Sequence, residues 1–277
     1  MMLGVILVLK WVGAAIFVGL VLLLALRSTL LKSLAIKRLF GNRYEDGLYS
    51  SHVADFLDER RFISAYKAGE ATGSWLGSQL RWRTYVCCWA AEHALSVSGD
   101  FVECGVNRGG FSRAIIDYVG FGRLPRTFYL LDTFCGDPDV VAVNRHDYSE
   151  CYADVQATFS QFPNVVLVKG RIPGTLSQVT SPSIAYLSID LNNAEPEIAA
   201  LRFFWPKMVP GSIVILDDYA YSQDYAYQKT AMDLLGRQLG FSVLTLPTGQ
   251  GLIVKTDSLR FHLPVDEPAI SGSPRRR

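Results

Sequence analysis

Two short apolar runs that stop abruptly at acid constrain this chain more than any other feature. Ile184–Ile189 ends at Asp190, and Ile213–Leu216 ends at Asp217 and Asp218. Between them, Ile198, Leu201, Phe204, Trp205 and Met208 recur at helical spacing over Pro196 to Met208, and Pro196 suits a first helical turn. Pro210-Gly211 then closes the helix and opens the second run. Strand, helix and strand of this length read as a right-handed crossover between two parallel neighbours. In such sheets ligands bind just beyond the carboxyl ends of the strands, so three carboxylates gather at one rim. A lone Asp at a strand end is as often a helix cap or loop former. Three at adjacent strand ends read as a site. Like charges held that close need a shared proton or a cation, and a hard divalent ion with oxygen ligands answers that need.

The second motif is GDFVECGVNRGGFS over 99–112. The run Phe101–Val102 leads into Glu103, Gly105 and Gly109-Gly110, then a helix from about Phe111 to Val119. Strand, glycine turn and helix let a ligand approach the backbone closely. The spacing is not G-x-G-x-x-G, which argues against a dinucleotide pyrophosphate loop. Glu103 would repel phosphate and suits an ammonium or a sulfonium. A structural turn is the plainer alternative. Thr127–Leu131 forms the next strand and ends at Asp132, an acid placed to take ribose hydroxyls. Tyr152–Phe162 is helical, and Val165–Val168 is the third strand. Strand and helix thus alternate from 101 to 219, which defines an α/β, doubly wound, mostly parallel sheet.

Beyond Tyr219 come a Tyr-rich loop carrying Tyr221, Tyr225 and Tyr227, then a helix from about Gln228 to Leu239. Phe241–Leu246 and Leu252–Lys255 flank PTGQG and read as a hairpin that adds an antiparallel strand. Upstream, Gln79 to Leu95 is a helix on which Trp82, Val86 and Trp89 form an apolar stripe expected in the core, with His93 nearby given no chemical role.

The amino terminus stands apart. From Met1 to Leu26 the only charge is Lys10, and about 20 such residues span a bilayer. Arg27, Lys32, Lys37, Arg38 and Arg43 follow with no acid before Glu45, which places the downstream chain in the cytoplasm. A cleaved signal peptide is the rival reading, but its basic region should precede the apolar run. The expectation is an uncleaved single-pass anchor, continued by an amphipathic surface helix over Leu30–Phe40. Net charge of +1 offers no argument for nucleic acid. The cysteines (Cys87, Cys88, Cys104, Cys135, Cys151) include no C-x-x-C pair and read as reduced thiols.

With these motifs in view, EcGvnrGGfS, LDTFcG, the Asp190 and DDY strand ends and the LPTGQGLIVK hairpin resemble class I S-adenosylmethionine-dependent methyltransferases. Within that class the chain most resembles the macrocin O-methyltransferase (TylF/MycF/NovP-like) family, over about Leu80 to Lys255. The resemblance implies a Rossmann-like, seven-stranded sheet with an antiparallel last strand, and magnesium-dependent methyl transfer to a sugar or phenolic hydroxyl. By position, Glu103, Gly105, Gly109 and Gly110 would hold the methionine moiety of S-adenosylmethionine and Asp132 its ribose. Asp190, Asp217 and Asp218 would ligate Mg2+, with Asp190 the general base. The family's D-x-D-x-Y is here Asp190-Leu191-Asn192-Asn193-Ala194, so an acid has become Asn192 and the tyrosine Ala194. The expected organisation is an anchor over 1–26, a basic and helical lead-in over 27–79, a methyltransferase domain over 80–256 and a disordered tail over 257–277. An anchor beside such a domain suggests a lipid-linked glycan acceptor, and a homo-oligomer is compatible with the sequence. Two other readings stay open: an NAD-dependent Rossmann enzyme, and a non-catalytic, membrane-tethered binding protein that kept the fold.

Overall fold

The computed structural model describes residues 44–50, 52–135 and 149–257. The expected anchor over 1–26, the surface helix expected over Leu30–Phe40 and nearly all of the tail lie outside the described residues. Among the described residues no helix is long and apolar enough to cross a membrane.

The strands are β1 (Tyr44–Glu45), β2 (Leu48–Tyr49), β3 (Asp100–Cys104), β4 (Phe128–Asp132), β5 (Val165–Lys169), β6 (Ile184–Ile189), β7 (Met208–Leu216), β8 (Leu244–Thr245) and β9 (Gly251–Val254). The helices are α1 (Arg60–Glu70), α2 (Arg81–Ala94), α3 (Gly110–Val119), α4 (Tyr152–Phe159), α5 (Ala194–Phe204) and α6 (Ala226–Leu239). β1 and β2 pair as a small hairpin, and the other strands form a seven-stranded sheet in the order β5-β4-β3-β6-β7-β9-β8. β5 through β7 run parallel, whereas β9 pairs antiparallel with both β7 and β8. The last strand is therefore antiparallel, as the hairpin implied, but it slots inside the edge rather than forming it.

Hydrophobic cores cover both faces of the sheet, so the central strands read as near-continuous apolar runs. Phe101, Phe128 and Tyr186 face α1–α3 with Ile115, Phe121 and Ala91, while Val102, Leu187 and Val214 face the other side with Leu201, Phe204 and Met232. Three local expectations need correction. Helix α5 ends at Phe204 and Trp205–Lys207 is a separate 3-10 turn, so β7 begins at Met208 and carries Pro210-Gly211 within it. Helix α4 stops at Phe159, short of Phe162. On α2 the buried face is Arg83, Thr84, Cys87, Cys88, Ala90, Ala91 and Ala94, and Trp89 is 43% exposed and stacked on His93. Small residues let α2 approach the sheet and α3 closely, where a tryptophan stripe would hold them apart.

The chain runs outward from β3 to β4 and β5, then returns to place β6 on the other side of β3. That reversal opens a crevice at the carboxyl ends of β3 and β6.

Candidate active site

At this crevice the ladder extends through the positions that matter. The Gly105 N–H donates to the Leu131 carbonyl at 2.8 Å, Asp190 N–H to Cys104 at 2.8 Å and Asp217 N–H to Ile189 at 3.0 Å. The ends of β3, β4, β6 and β7 are thereby locked in step along one rim. Above them lies a cleft of about 360 Å³, lined among others by Glu103, Gly105, Gly110, Asp132, Asp190, Asp217 and Asp218. This volume lies in the range of small-molecule sites. One cavity thus joins the two motifs, although Gly109 does not line it.

The glycine turn is imposed by close packing. Gly105 has φ +89°, and a Cβ there would stand 1.7 Å from the Asp190 carbonyl oxygen, so only glycine fits. Gly109 has φ +85°, and a Cβ there would meet the Phe159 ring at 2.5 Å. Gly110 lies against Trp75, and its N–H donates to Ser74 Oγ at 2.9 Å. Gly109 and Gly110 therefore seat α3 against α4 and the α1–α2 connection.

Glu103 is 2% exposed, and its carboxylate accepts a hydrogen bond from the Ser112 hydroxyl. Burial pushes its pKa up to about 8, against the opposing effect of the Ser112 bond. A carboxylate so placed favours a cationic ligand in the cleft, which fits the ammonium or sulfonium of the expected cofactor. Asp132 has a different setting. Its Oδ2 accepts from Val106 N–H at 2.6 Å and Asn107 N–H at 2.7 Å, and its Oδ1 from Phe134 N–H at 2.7 Å and the Thr133 hydroxyl at 3.2 Å. It lines the cleft as expected, but it also ties the glycine turn to the loop after β4.

On the other rim Asp190 accepts from Asn192 Nδ2 at 3.2 Å, and Tyr225 donates its hydroxyl to Asn192 Oδ1 at 3.1 Å. Asn192 sits at φ 54°, a left-handed conformation that asparagine tolerates. Burial, then the neighbouring Asp217 and Asp218, hold the Asp190 carboxyl well above the usual range. Burial and Asp217 push Asp218 up to about 6, and burial with Asp218 pushes Glu197 of α5 up to about 8.

The residue that sequence reasoning missed is Arg83. Its guanidinium donates to the Asp217 carboxylate, to the Asp217 carbonyl at 2.8 Å and to Asp218 Oδ1 at 2.9 Å. It also lies 4.9 Å beneath the Tyr221 ring and 3.5 Å from Asp46 Oδ2. Tyr221 in turn donates to Asp46 Oδ1 at 2.8 Å. The signal was available: Arg83, Cys87 and Ala90 share a helical face, and an arginine on an otherwise apolar face needs a buried partner. Among the described residues no three or more acids, histidines and cysteines are grouped to hold a metal. The expected trio does share one rim, but two of its members are bonded to Arg83. As they stand, these donors do not fit a magnesium site.

The doubly wound sheet, with its glycine turn and acid-bearing strand ends around one cleft, defines a Rossmann-like methyltransferase. A model of the family described as "Macrocin-O-methyltransferase (TylF)" matches residues 79–232, more than half of the chain. The chain belongs to this family of S-adenosylmethionine-dependent O-methyltransferases. It is 28% identical over 204 residues to mycinamicin III 3''-O-methyltransferase of Micromonospora griseorubida, covering 64% of this chain and 77% of that one. It is 32% identical over 143 residues to a rhamnosyl-tetracenomycin-C 4'-O-methyltransferase of Streptomyces olivaceus, covering 45% of this chain and 54% of that one. Among solved structures it matches the O-methyltransferase NovP with a TM-score of 0.56 at 23% identity, over 83% of this chain and 100% of that one. Calicheamicin methyltransferase CalS11 follows with a TM-score of 0.53 at 19% identity, over 75% of this chain and 99% of that one. At such identities both speak for the fold.

Proposed function

We propose that this protein methylates a hydroxyl on a sugar moiety, with the β3–β4 half of the cleft holding S-adenosylmethionine and the β6–β7 half holding the acceptor. The observation that carries this reading is that one cleft contains both a buried carboxylate suited to a cation, Glu103, and a partly open carboxylate suited to a proton, Asp190. A relative named a 4'-O-methyltransferase of a rhamnosyl-bearing tetracenomycin supports the acceptor class, and the mycinamicin 3''-O-methyltransferase supports transfer to oxygen.

When bound, S-adenosylmethionine supplies an electrophilic sulfonium methyl that the acceptor oxygen attacks in line, the C–S bond breaking onto sulfur to leave S-adenosylhomocysteine. Glu103 and the Gly105 turn fix the methionine end, and Asp132 is the acid nearest to hand for the ribose. Asp190 takes the hydroxyl proton as oxygen attacks, and burial beside Asp217 and Asp218 raises its affinity for that proton. Asn192, steadied by the Tyr225 hydroxyl, orients that carboxylate. Positioning does most of the work in such a displacement.

The amino-terminal segment extends the proposal: residues 1–26 anchor the domain at the cytoplasmic face of a membrane, and the acceptor sugar is lipid-linked. Fractionation of cells tests the anchor directly. Deleting residues 1–40 should impair methylation of the native acceptor more than of a soluble analogue, and equal impairment would sink the lipid-linked idea. For the central proposal, calorimetry should show S-adenosylmethionine binding to wild type and Asp190→Ala alike. Transfer of tritiated methyl to sugar-bearing acceptors should be lost in Asp190→Ala alone. Failure of wild type to bind the cofactor would overturn the proposal in favour of a binding protein that kept the fold.

A further inference from the structure

Three acids at a strand rim suggest a metal, and this fold seats an arginine among them. A single nitrogen, Nη2 of Arg83, lies within hydrogen-bonding reach of the Asp217 carboxylate, the Asp217 carbonyl and Asp218 Oδ1. That is the place a metal ion would take. The other Asp217 carboxylate oxygen accepts from Gln250 Nε2 at 2.9 Å, and the Thr248 hydroxyl holds Gln250 Oε1 at 2.9 Å. Both carboxylate oxygens of Asp217 are thus committed to N–H donors from elements far apart in the chain.

Arg83 is built into this position. Glu45 of β1 accepts from the Trp82 N–H at 2.7 Å and from Arg81 Nε at 2.6 Å, pinning the first turn of α2 to the amino-terminal hairpin. Asp46 and Tyr221 then close over the guanidinium, and Arg83 as a whole is 7% exposed. Magnesium requires about six oxygens in a tight octahedron, whereas a guanidinium is a planar, permanently charged fork. The oxygens here converge on one arm of that fork, Nη2.

We infer that Arg83 is the resident cation of this rim and that the protein works without a bound divalent metal. Arg83 holds Asp217 and Asp218 in place by direct bonds, and Asp190, whose Oδ1 accepts from Asn192, is left to face the acceptor. Arg83 is on this account a positioning residue that stands where a relative could place a metal. The inference rests on the methyl-transfer reading of the cleft, and its test separates the two.

The test uses the full-length chain, Mn2+ as the probe and electron paramagnetic resonance to count the free ion, with S-adenosylmethionine titrated calorimetrically into the same samples. Wild type should leave Mn2+ free up to millimolar concentration and still bind S-adenosylmethionine. Arg83→Met should take up one Mn2+ per chain, and Arg83→Met with Asp217→Asn should lose it again. Arg83→Lys, which keeps the charge, should stay metal-free. Wild type binding one Mn2+ at micromolar concentration, abolished by Asp217→Asn, would overturn the inference, and this arm stands even if Arg83→Met does not fold. A folded Arg83→Met that binds no Mn2+ would overturn it too. Wild type that leaves Mn2+ free and also fails to bind S-adenosylmethionine would overturn the methyltransferase reading and with it the inference built on it.

Discussion

The two halves of the cleft are assembled by different means. On the β3–β4 side the charged groups are satisfied within two adjacent strands and the turns that follow them: Ser112 meets Glu103, and the backbone of Val106, Asn107 and Phe134 meets Asp132. On the β6–β7 side the partners come from the ends of the described chain. Arg83 reaches Asp217 from 134 residues earlier, Gln250 from 33 residues later, and Asp46 joins from the hairpin. The first half is closed by two adjacent strands and their turns, within residues 103–134. The second half exists only when distant elements dock, with α2, the amino-terminal hairpin and the segment before β9 all reaching the β7 end.

The largest effect is expected where the halves touch. Gly105→Ala drives a Cβ to 1.7 Å from the Asp190 carbonyl, at a φ of +89° that alanine resists. Neither backbone can retreat without parting β3 from β6. A loss of about 4 kcal/mol or more is expected, at the extreme of single substitutions. Denaturant unfolding measures it, and a stable, fully folded variant would mean the halves are less tightly joined than described.

Arg83→Met comes next and sharpens the contrast. Breaking a buried ion pair by removing one partner costs about 3–5 kcal/mol, because the other charge stays buried and unpaired. S-adenosylmethionine affinity, governed by the other half, should shift by no more than about 0.5 kcal/mol if the sites are independent. A large loss of cofactor affinity in a folded variant would show that the halves are coupled. The companion Asp217→Asn should recover part of the stability in the Arg83→Met background, since it removes the orphaned charge.

The same contrast explains what could be read from sequence. The strand ends at Asp132, Asp190 and Asp217, the glycine turn and the closing hairpin were legible because each is a pattern within a few residues. The hairpin's seating was not: the order of its strands at the sheet edge depends on which of them pairs with β7, a contact no local pattern encodes. The partners of Arg83 escaped for the same reason, and the aromatic stripe drew attention away from the face of α2 that carries it. Bulky apolar spacing usually marks a core face, but here the tight approach of α2 to the sheet selects cysteine and alanine. The three carboxylates were placed correctly at one rim, while their counter-charge lay far off in sequence.

Asp132→Asn probes the local half with a smaller expected effect. The amide can still accept from one side, but its NH2 would confront backbone N–H groups that now donate to a carboxylate. Losing charge-assisted bonds of this kind costs about 1.5–3 kcal/mol. The loss should fall on stability as well as on cofactor affinity, because Asp132 braces the glycine turn. A variant that binds S-adenosylmethionine poorly yet unfolds like wild type would assign Asp132 to the ribose alone.

The smallest effect is the most diagnostic of how the cofactor half works. Glu103 ionises near 4.5 in an unfolded chain but is pushed up to about 8 by burial in the apo fold. Its folded-state pKa is raised, so its contribution to stability is complete below pH 4.5 and is lost as pH rises through about 8. A cation bound in the cleft favours the carboxylate and reverses that preference. Binding S-adenosylmethionine near neutral pH should therefore release a proton from Glu103. Affinity should climb with pH by up to about 1.4 kcal/mol per unit and level off above the folded pKa. Calorimetry in buffers of different ionisation enthalpy counts the proton directly. Glu103→Gln should abolish the release and flatten the pH profile, because the amide has no proton to give up. If the variant keeps the wild-type pH profile, the titrating group lies on the β6–β7 rim instead, among Asp190, Asp218 and Glu197. The cofactor would then be sensed by the half of the cleft built for the acceptor, and the division drawn between the two would fail.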